Sequence, residues 1–187
     1  AESMRRAFAV RNEVIADPDF VSFDQAELLS AAFSDALRRT ISTDHATPSS
    51  EVSGRPAPAE SRQTTHFSVT DNRGNAVALT TTLNGWYGSA VTVAGAGFLL
   101  NNEMDDFSIR PGTPNGYELL GTEANAIAPG KRMLSSMSPT FIESPRGVAI
   151  LGTPGGSRII SMILLSTLAW MDGADAQQMV SLKRYHH

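Results

Sequence analysis

The chain has 187 residues; at roughly 150 residues per domain that is one domain, or one and part of a second, long enough to bury a core. Lys and Arg total 15 against 19 Asp and Glu, and the formal charge of -4 offers no basic excess for a phosphate backbone, so nucleic acid is not an expected partner. The absence of cysteine removes disulfides, thiolate nucleophiles and cysteine-held zinc, and leaves the redox compartment open.

Residues 1–16 carry a helical pattern, with Met4, Phe8, Ala9 and Val14 broadly on one face. It stops at Asp17-Pro18-Asp19 because the residue before proline avoids the helical region. Ala1-Glu-Ser-Met-Arg-Arg reads as mid-helix rather than as a leader peptide, so the chain is expected to be a segment of a longer protein. A second helix is expected from Asp24, whose pairing with Glu27 is a capping signature. Leu28, Leu29, Ala32, Phe33, Ala36 and Leu37 give it one continuous apolar stripe. Residues 42–63 turn to Ser, Thr, Pro, Gly and charge, with Val52 the only large aliphatic. Burial there cannot offset the entropy of ordering, and a linker is expected.

At Thr64 the period changes to two. Phe67 and Val69 alternate with His66 and Ser68, Asp71 to Asn75 supply turn chemistry, and residues 76–83 return as a β-branched strand. The expected hairpin places Thr64 opposite residues 81–83, with Thr80, Thr82 and Asn84 on one face, so that Thr82 lies beside Thr64. Phe67 and Val69 suggest that this strand is buried. Residues 91–100 read as another strand and run into Asn101-Asn-Glu-Met-Asp-Asp106. After a long loop, residues 140–143 and 147–151 predict a second hairpin. Thr153-Pro-Gly-Gly-Ser157 then enters an apolar helix from about Arg158, too short to span a bilayer and expected to be a core helix. Its first N–H groups are expected to point outward and could face an anion.

Thr64 is the residue with the most chemical potential. Two threonines at a strand start are ordinary β-formers, but here they follow a linker ending in Gln63. If the bond before Thr64 is cut, the new α-amine, which ordinarily titrates at about 7.7 to 8, can act as base for the Thr64 hydroxyl. Gly155 and Gly156 read either as a tight turn or as backbone donors for an oxyanion; the loop lacks the Lys-Ser/Thr ending of a phosphate loop. On the second reading Gly156→Val is expected to abolish turnover while leaving the fold measurable by circular dichroism. Glu103, Asp105 and Asp106 read as a solvated loop or a hard-cation site but lack calcium-loop spacing; Asn84, Glu103 and Asp106 would equally suit a ligand ammonium. His45, His66, His186 and His187 are assigned no metal.

Gln63-Thr-Thr-His-Phe-Ser-Val69, Thr82-Leu-Asn84, Leu99-Leu-Asn-Asn-Glu-Met-Asp-Asp-Phe-Ser108, Lys131-Arg-Met-Leu-Ser-Ser-Met-Ser-Pro-Thr140 and Gly152-Thr-Pro-Gly-Gly-Ser-Arg158 together resemble γ-glutamyltransferase, the γ-glutamyltranspeptidase or glutathione hydrolase family. The resemblance implies an α+β fold, the αββα sandwich of the N-terminal-nucleophile hydrolases, present here as an incomplete fragment. Residues 1–63 would be the end of a large-subunit region and residues 64–187 the start of a small-subunit region, with autocatalytic cleavage of the zymogen after Gln63. It further implies that Thr64 is the nucleophile and Thr82 its hydrogen-bond partner, and that Gly155 and Gly156 form the oxyanion hole. Asn84, Glu103 and Asp106 would hold the α-amino end of a γ-glutamyl group, and Ser135 and Ser136 its α-carboxylate. The implied reaction is cofactor-free and metal-free acyl transfer from glutathione or a related γ-glutamyl amide to an acceptor amine or water. The implied partners are the remainder of both subunits, and the implied location is periplasmic or extracellular. The rival readings are a glutaryl or cephalosporin acylase and a silent, uncut module.

Overall fold

The computed structural model describes residues 1–52, 64–108, 110–113 and 122–186. Gln63 and the second half of the expected linker, residues 53–63, lie outside the described residues. The chain divides into two compact units, residues 1–59 with 104–135, and residues 60–103 with 136–186. Helix and strand are both present, and each unit draws on two separated stretches of sequence.

In the first unit α1 spans Glu2–Val14 and buries Met4, Arg5 and Arg6. Two buried cations in one turn need partners. Glu2 pairs with both, and Arg6 also donates to the Thr40 hydroxyl and carbonyl at 2.5 and 2.7 Å. Thr47 joins this cluster through its N–H to the Glu2 carboxylate at 3.1 Å, and the short α4, Ser49–Val52, follows. The start of the expected linker is thus ordered, by polar bonds to α1 rather than by apolar burial. The expected helix from Asp24 is two helices, α2 Gln25–Leu28 and α3 Ala31–Arg39. Asp24 caps the first as expected, accepting from the Ala26 and Glu27 N–H groups. Ser30, in extended conformation, then caps the second by accepting from Phe33 N–H at 3.1 Å. That restart turns Leu29 out of the stripe, and it is 75% exposed.

The second unit holds two antiparallel hairpins. Strands β1, Thr65–Thr70, and β2, Ala76–Thr81, pair from Thr65↔Thr81 to Thr70↔Ala76, within the expected register. Asp71 builds the turn, its carboxylate accepting from the Asn75 side-chain amide at 2.7 Å and from the N–H groups of Arg73 and Asn75 at 2.8 and 2.9 Å, and these bonds, the side-chain one first, hold its pKa down. The burial expectation is reversed. Phe67, Val69, Val77 and Leu79 are exposed, whereas His66, Thr80, Thr82 and Asn84 on the other face are half-buried or buried. Alternation separates two faces but does not say which one meets the core.

Strands β3, Thr140–Ser144, and β4, Gly147–Leu151, form the second expected hairpin. The expected strand at 91–100 is instead a tight fold-back, bridged at Thr92↔Leu99. Gly95 and Gly97, with φ of +79° and +77°, reverse the chain where an extended strand would need negative φ. Helix α5, Arg158–Met171, buries Ile159 and Ser161, but Leu164, Leu168 and Met171 are exposed, so it is a core helix on one side only. From the β3–β4 turn, Arg146 closes the far end of α5. It donates to the carbonyls of Trp170, Gly173 and Ala174 at 2.6 to 3.2 Å and stacks 4.3 Å from the Trp170 ring, a cation placed where the helix dipole favours one. The short α6, Ala176–Val180, starts from an Asp175–Gln178 capping box.

Candidate active site

Thr64 is half-buried and immediately precedes β1. The ladder ends at Thr65↔Thr81; its register continued by one step would bring Thr82 opposite Thr64, and residues opposite each other in an antiparallel pair share a face. The Thr82 hydroxyl oxygen accepts from Asn84 N–H at 2.9 Å, which leaves its own hydrogen to be donated. Asn84 is 7% exposed and sits at φ +69°, a left-handed conformation that asparagine tolerates better than most residues. Its Nδ2 donates to the Asn102 carbonyl at 3.1 Å, while Asn102 Oδ1 accepts from Gly85 N–H at 2.7 Å. Of the two ends of this amide only Oδ1 is an acceptor, the kind of group an ammonium needs.

His66 is two residues on from Thr64 and on the same face. Its Nδ1 shares a 2.8 Å hydrogen bond with the Thr80 hydroxyl and its Nε2 a 3.2 Å bond with that of Ser68, and desolvation lowers its pKa. The ring packs directly on Gly152, where an added Cβ would overlap it. His66 therefore ties β1 to the chain that leads into the glycine loop. In that loop Gly155 has φ +136° and Gly156 φ +54°, and a Cβ at Gly155 would come 2.9 Å from the Met162 methyl. The first N–H groups of α5 do not point outward as expected. Those of Arg158 and Ile159 donate to the Gly155 and Gly156 carbonyls at 3.0 and 3.2 Å. The N–H groups expected to meet an oxyanion, those of Gly155 and Gly156, make no hydrogen bond among the described residues. A cavity of about 370 Å³ in this unit is lined by His66, Leu151, Met162, Trp170 and Met179 among others; none of the expected site residues lines it.

Glu103 and Asp106 stand on one 3₁₀ turn, Glu103–Asp106, whose first N–H donates to Asn101 Oδ1 at 3.0 Å. Thr64, Thr82, Asn84, Glu103, Ser136, Gly155 and Gly156 belong to the second unit, whereas Asp106 and Ser135 belong to the first. Within the first unit, Asp106 and Ser135 are brought together through residues that the sequence did not single out. Arg11 Nη2 donates to the Ser135 carbonyl at 3.2 Å, and its guanidinium feels the Asp106 carboxylate, which raises a pKa that burial lowers. Asn125 donates to the Asp106 carbonyl and accepts from Leu134 N–H. Asp17, read in the sequence only as a helix stop, accepts from the Arg132 backbone N–H at 2.7 Å and from its guanidinium at 2.6 and 3.1 Å. Arg132 holds the Asp17 carboxyl well below the usual carboxylate range. No local spacing signals these contacts, because their partners lie far apart in sequence. Among the described residues no group of histidines and carboxylates could hold a metal ion, and no helix is long and apolar enough to cross a membrane.

A family model described as gamma-glutamyltranspeptidase matches residues 1–187. The chain belongs to the γ-glutamyltranspeptidase family. It is 46% identical over 187 residues to the glutathione hydrolase proenzyme of Pseudomonas sp. strain A14, covering 99% of this chain and 32% of that protein. It is 45% identical over 190 residues to the glutathione hydrolase proenzyme of Escherichia coli K12, covering 100% of this chain and 33% of that protein. Among solved structures, a mutant of Helicobacter pylori γ-glutamyltranspeptidase is similar with a TM-score of 0.62 and 53% identity, covering 65% of this chain and 67% of that one. The chain therefore spans about a third of the length of these curated γ-glutamyltranspeptidase relatives. A weaker likeness, 36% identity over 174 residues, covers 92% of this chain and 29% of the Acylase ACY 1 proenzyme of Pseudomonas sp. strain SE83.

Proposed function

We propose that the protein containing this chain is an N-terminal-nucleophile hydrolase with the four-layer αββα fold, and that it transfers or hydrolyses γ-glutamyl groups from glutathione and related amides. The observation that supports this reading is the hairpin register, which runs to Thr65↔Thr81 and, continued by one step, would set Thr82 opposite Thr64, with the Thr82 hydroxyl accepting from Asn84 N–H. Maturation begins when the Thr64 hydroxyl oxygen attacks the Gln63 carbonyl carbon. The peptide nitrogen leaves as the Thr64 α-amine, and an ester joins Gln63 to Thr64. Water opens the ester, giving a Gln63 carboxylate and a free N-terminal threonine.

In turnover the Thr64 α-amine takes the proton of its own hydroxyl as the oxygen attacks the γ-carbonyl. The resulting oxyanion accepts from Gly155 and Gly156 N–H. The leaving amine departs with the proton held by the α-ammonium, and the γ-glutamyl ester then passes to water or an acceptor amine. Asn84, Glu103 and Asp106 bind the substrate α-ammonium, and Ser135 and Ser136 its α-carboxylate. The acids favour a γ-glutamyl over a glutaryl donor, since a glutaryl group has no ammonium to pair with them. The reading needs neither metal nor organic cofactor, takes the rest of both subunit regions as partners, and places the enzyme in the periplasm or outside the cell.

The decisive experiment uses the full-length protein. Intact mass and N-terminal sequencing are expected to show two pieces, one beginning at Thr64, and a single uncut chain for Thr64→Ala. Normal cleavage in that variant would overturn the assignment.

A further inference from the structure

We propose that Asn125 is a positioning residue that sets the spacing between the two halves of the amino-acid anchor, Asp106 and Ser135. The inference rests on the reading above, in which Asp106 meets the substrate ammonium and Ser135 its carboxylate.

Asn125 ends the short 3₁₀ turn Glu123–Asn125 and is 8% exposed. Its side-chain amide is used at both ends. Nδ2 donates to the Asp106 carbonyl at 2.8 Å, and Oδ1 accepts from the N–H of Leu134, the residue before Ser135, at 3.0 Å. Its own carbonyl accepts from Ser108 N–H at 2.9 Å, within a parallel bridge between Ser108 and Ala126. One rigid, planar group thus joins the backbone that carries Asp106 to the backbone that carries Ser135. Neither bond involves the Asp106 carboxylate or the Ser135 hydroxyl, so the clamp fixes where these groups stand without competing for them.

The surroundings limit how this clamp can move. Lys131 donates to the Ala124 carbonyl at 2.6 Å, the Asp17–Arg132 pair fixes the chain just before Leu134, and Arg11 holds the Ser135 carbonyl. A primary amide donates from one end and accepts at the other, which is what these two bonds need. Aspartate would keep the acceptor for Leu134 but turn a repelling oxygen on the Asp106 carbonyl. An apolar side chain would leave two partly buried backbone groups unpaired.

The consequence is substrate selection rather than stability alone. A γ-glutamyl donor presents an ammonium and a carboxylate on one carbon, and both must be met at once. A glutaryl donor presents only the carboxylate, so a changed spacing costs it less. Displacements of about an ångström in such positioning are worth up to about a hundredfold in rate.

The test compares kcat/KM for a γ-glutamyl anilide and the matching glutaryl anilide in the full-length, matured enzyme. Asn125→Asp is expected to lower the γ-glutamyl to glutaryl ratio by about ten- to a hundredfold, mainly through KM for the γ-glutamyl donor. If Asn125→Asp does not mature, Asn125→Gln, which keeps the amide but carries it one methylene further, reads the same ratio. Asp106→Ala is the control. A ratio unchanged by Asp106→Ala would overturn the ammonium assignment, and this inference with it. A ratio that collapses in Asp106→Ala but is kept in both Asn125 variants, with only the melting temperature lowered, would show Asn125 to be structural and overturn the inference alone.

Discussion

At Gly156 the two roles that the sequence offered as alternatives, turn and oxyanion donor, fall on one residue. A bare backbone is needed for the N–H to approach an oxyanion, and the φ of +54° puts the residue in the left-handed region, where a side chain costs roughly 1–2 kcal/mol. A β-branched replacement would therefore damage the fold as well as the chemistry, contrary to the expectation that the fold would be kept. Gly156→Ala is the better probe. It is expected to lower stability by about 1–2 kcal/mol and the single-turnover acylation rate by about 10², the latter measured well below the melting temperature of the full-length variant. A destabilised variant that acylates normally while folded would assign the glycine to the turn alone. His66 shows a related distinction. Its place on the polar face of the hairpin was legible from period-two alternation, but its role in tying β1 to Gly152 was not.

Among the elements, the segment from Lys131 to Ser135 illustrates how irregular chain is held by polar contacts to distant residues, the Asp17–Arg132 pair among them. Asp17, 4% exposed, lies just beyond the end of α1, and its bonds to Arg132 cross 115 positions of sequence. The folded state lowers the Asp17 pKa, through the Arg132 side-chain bonds first and the Arg132 backbone N–H next. A depressed carboxylate pKa contributes stability in full above the unfolded value of about 3.9, and that contribution is lost as pH falls through the folded value. Asp17→Asn keeps the shape and removes the charge. The melting temperature of the variant is expected to lie below that of the parent at neutral pH, with the gap closing below about pH 4. A gap that stays constant across the acid range would show that the charge is not what secures this segment. The contrast with α2 and α3 is instructive, since those helices are set by caps of their own, at Asp24 and Ser30.

For the molecule as a whole, the outward face of the β1–β2 hairpin stands out. The cross-strand pairs Phe67↔Leu79 and Val69↔Val77 are 45%, 41%, 54% and 55% exposed, respectively, and they form a continuous apolar stripe. Stripes of this kind mark surfaces that meet other protein, or else drive association. The 187-residue chain expressed by itself is expected to bind a hydrophobic dye and to self-associate as concentration rises. Replacing Val69 and Val77 by Thr, which retains β-propensity, is expected to reduce both. A chain that stays monomeric and leaves the dye dark would show that the stripe is satisfied in solution as it stands.

The features legible in the sequence are those whose causes lie within a few residues. They include the Asp24 and Asp71 bonds to nearby N–H groups, the end of α1 before Pro18, the two hairpins, and the register that, continued by one step, would bring Thr82 opposite Thr64. The ordered motifs that carry the family resemblance belong with them, because each is a contiguous run of side chains. The restart at Ser30 and the reversal at Gly95 and Gly97 were also local, but apolar patterning concealed them. Only the tertiary structure decided that the polar face of β1–β2 is the covered one, that Asp17 holds Arg132, and that Asn125 joins the Asp106 and Ser135 segments. Hydrogen bonds along the chain are encoded by neighbours, whereas burial and long-range pairing depend on which surfaces meet, and no window of sequence contains both sides of that contact.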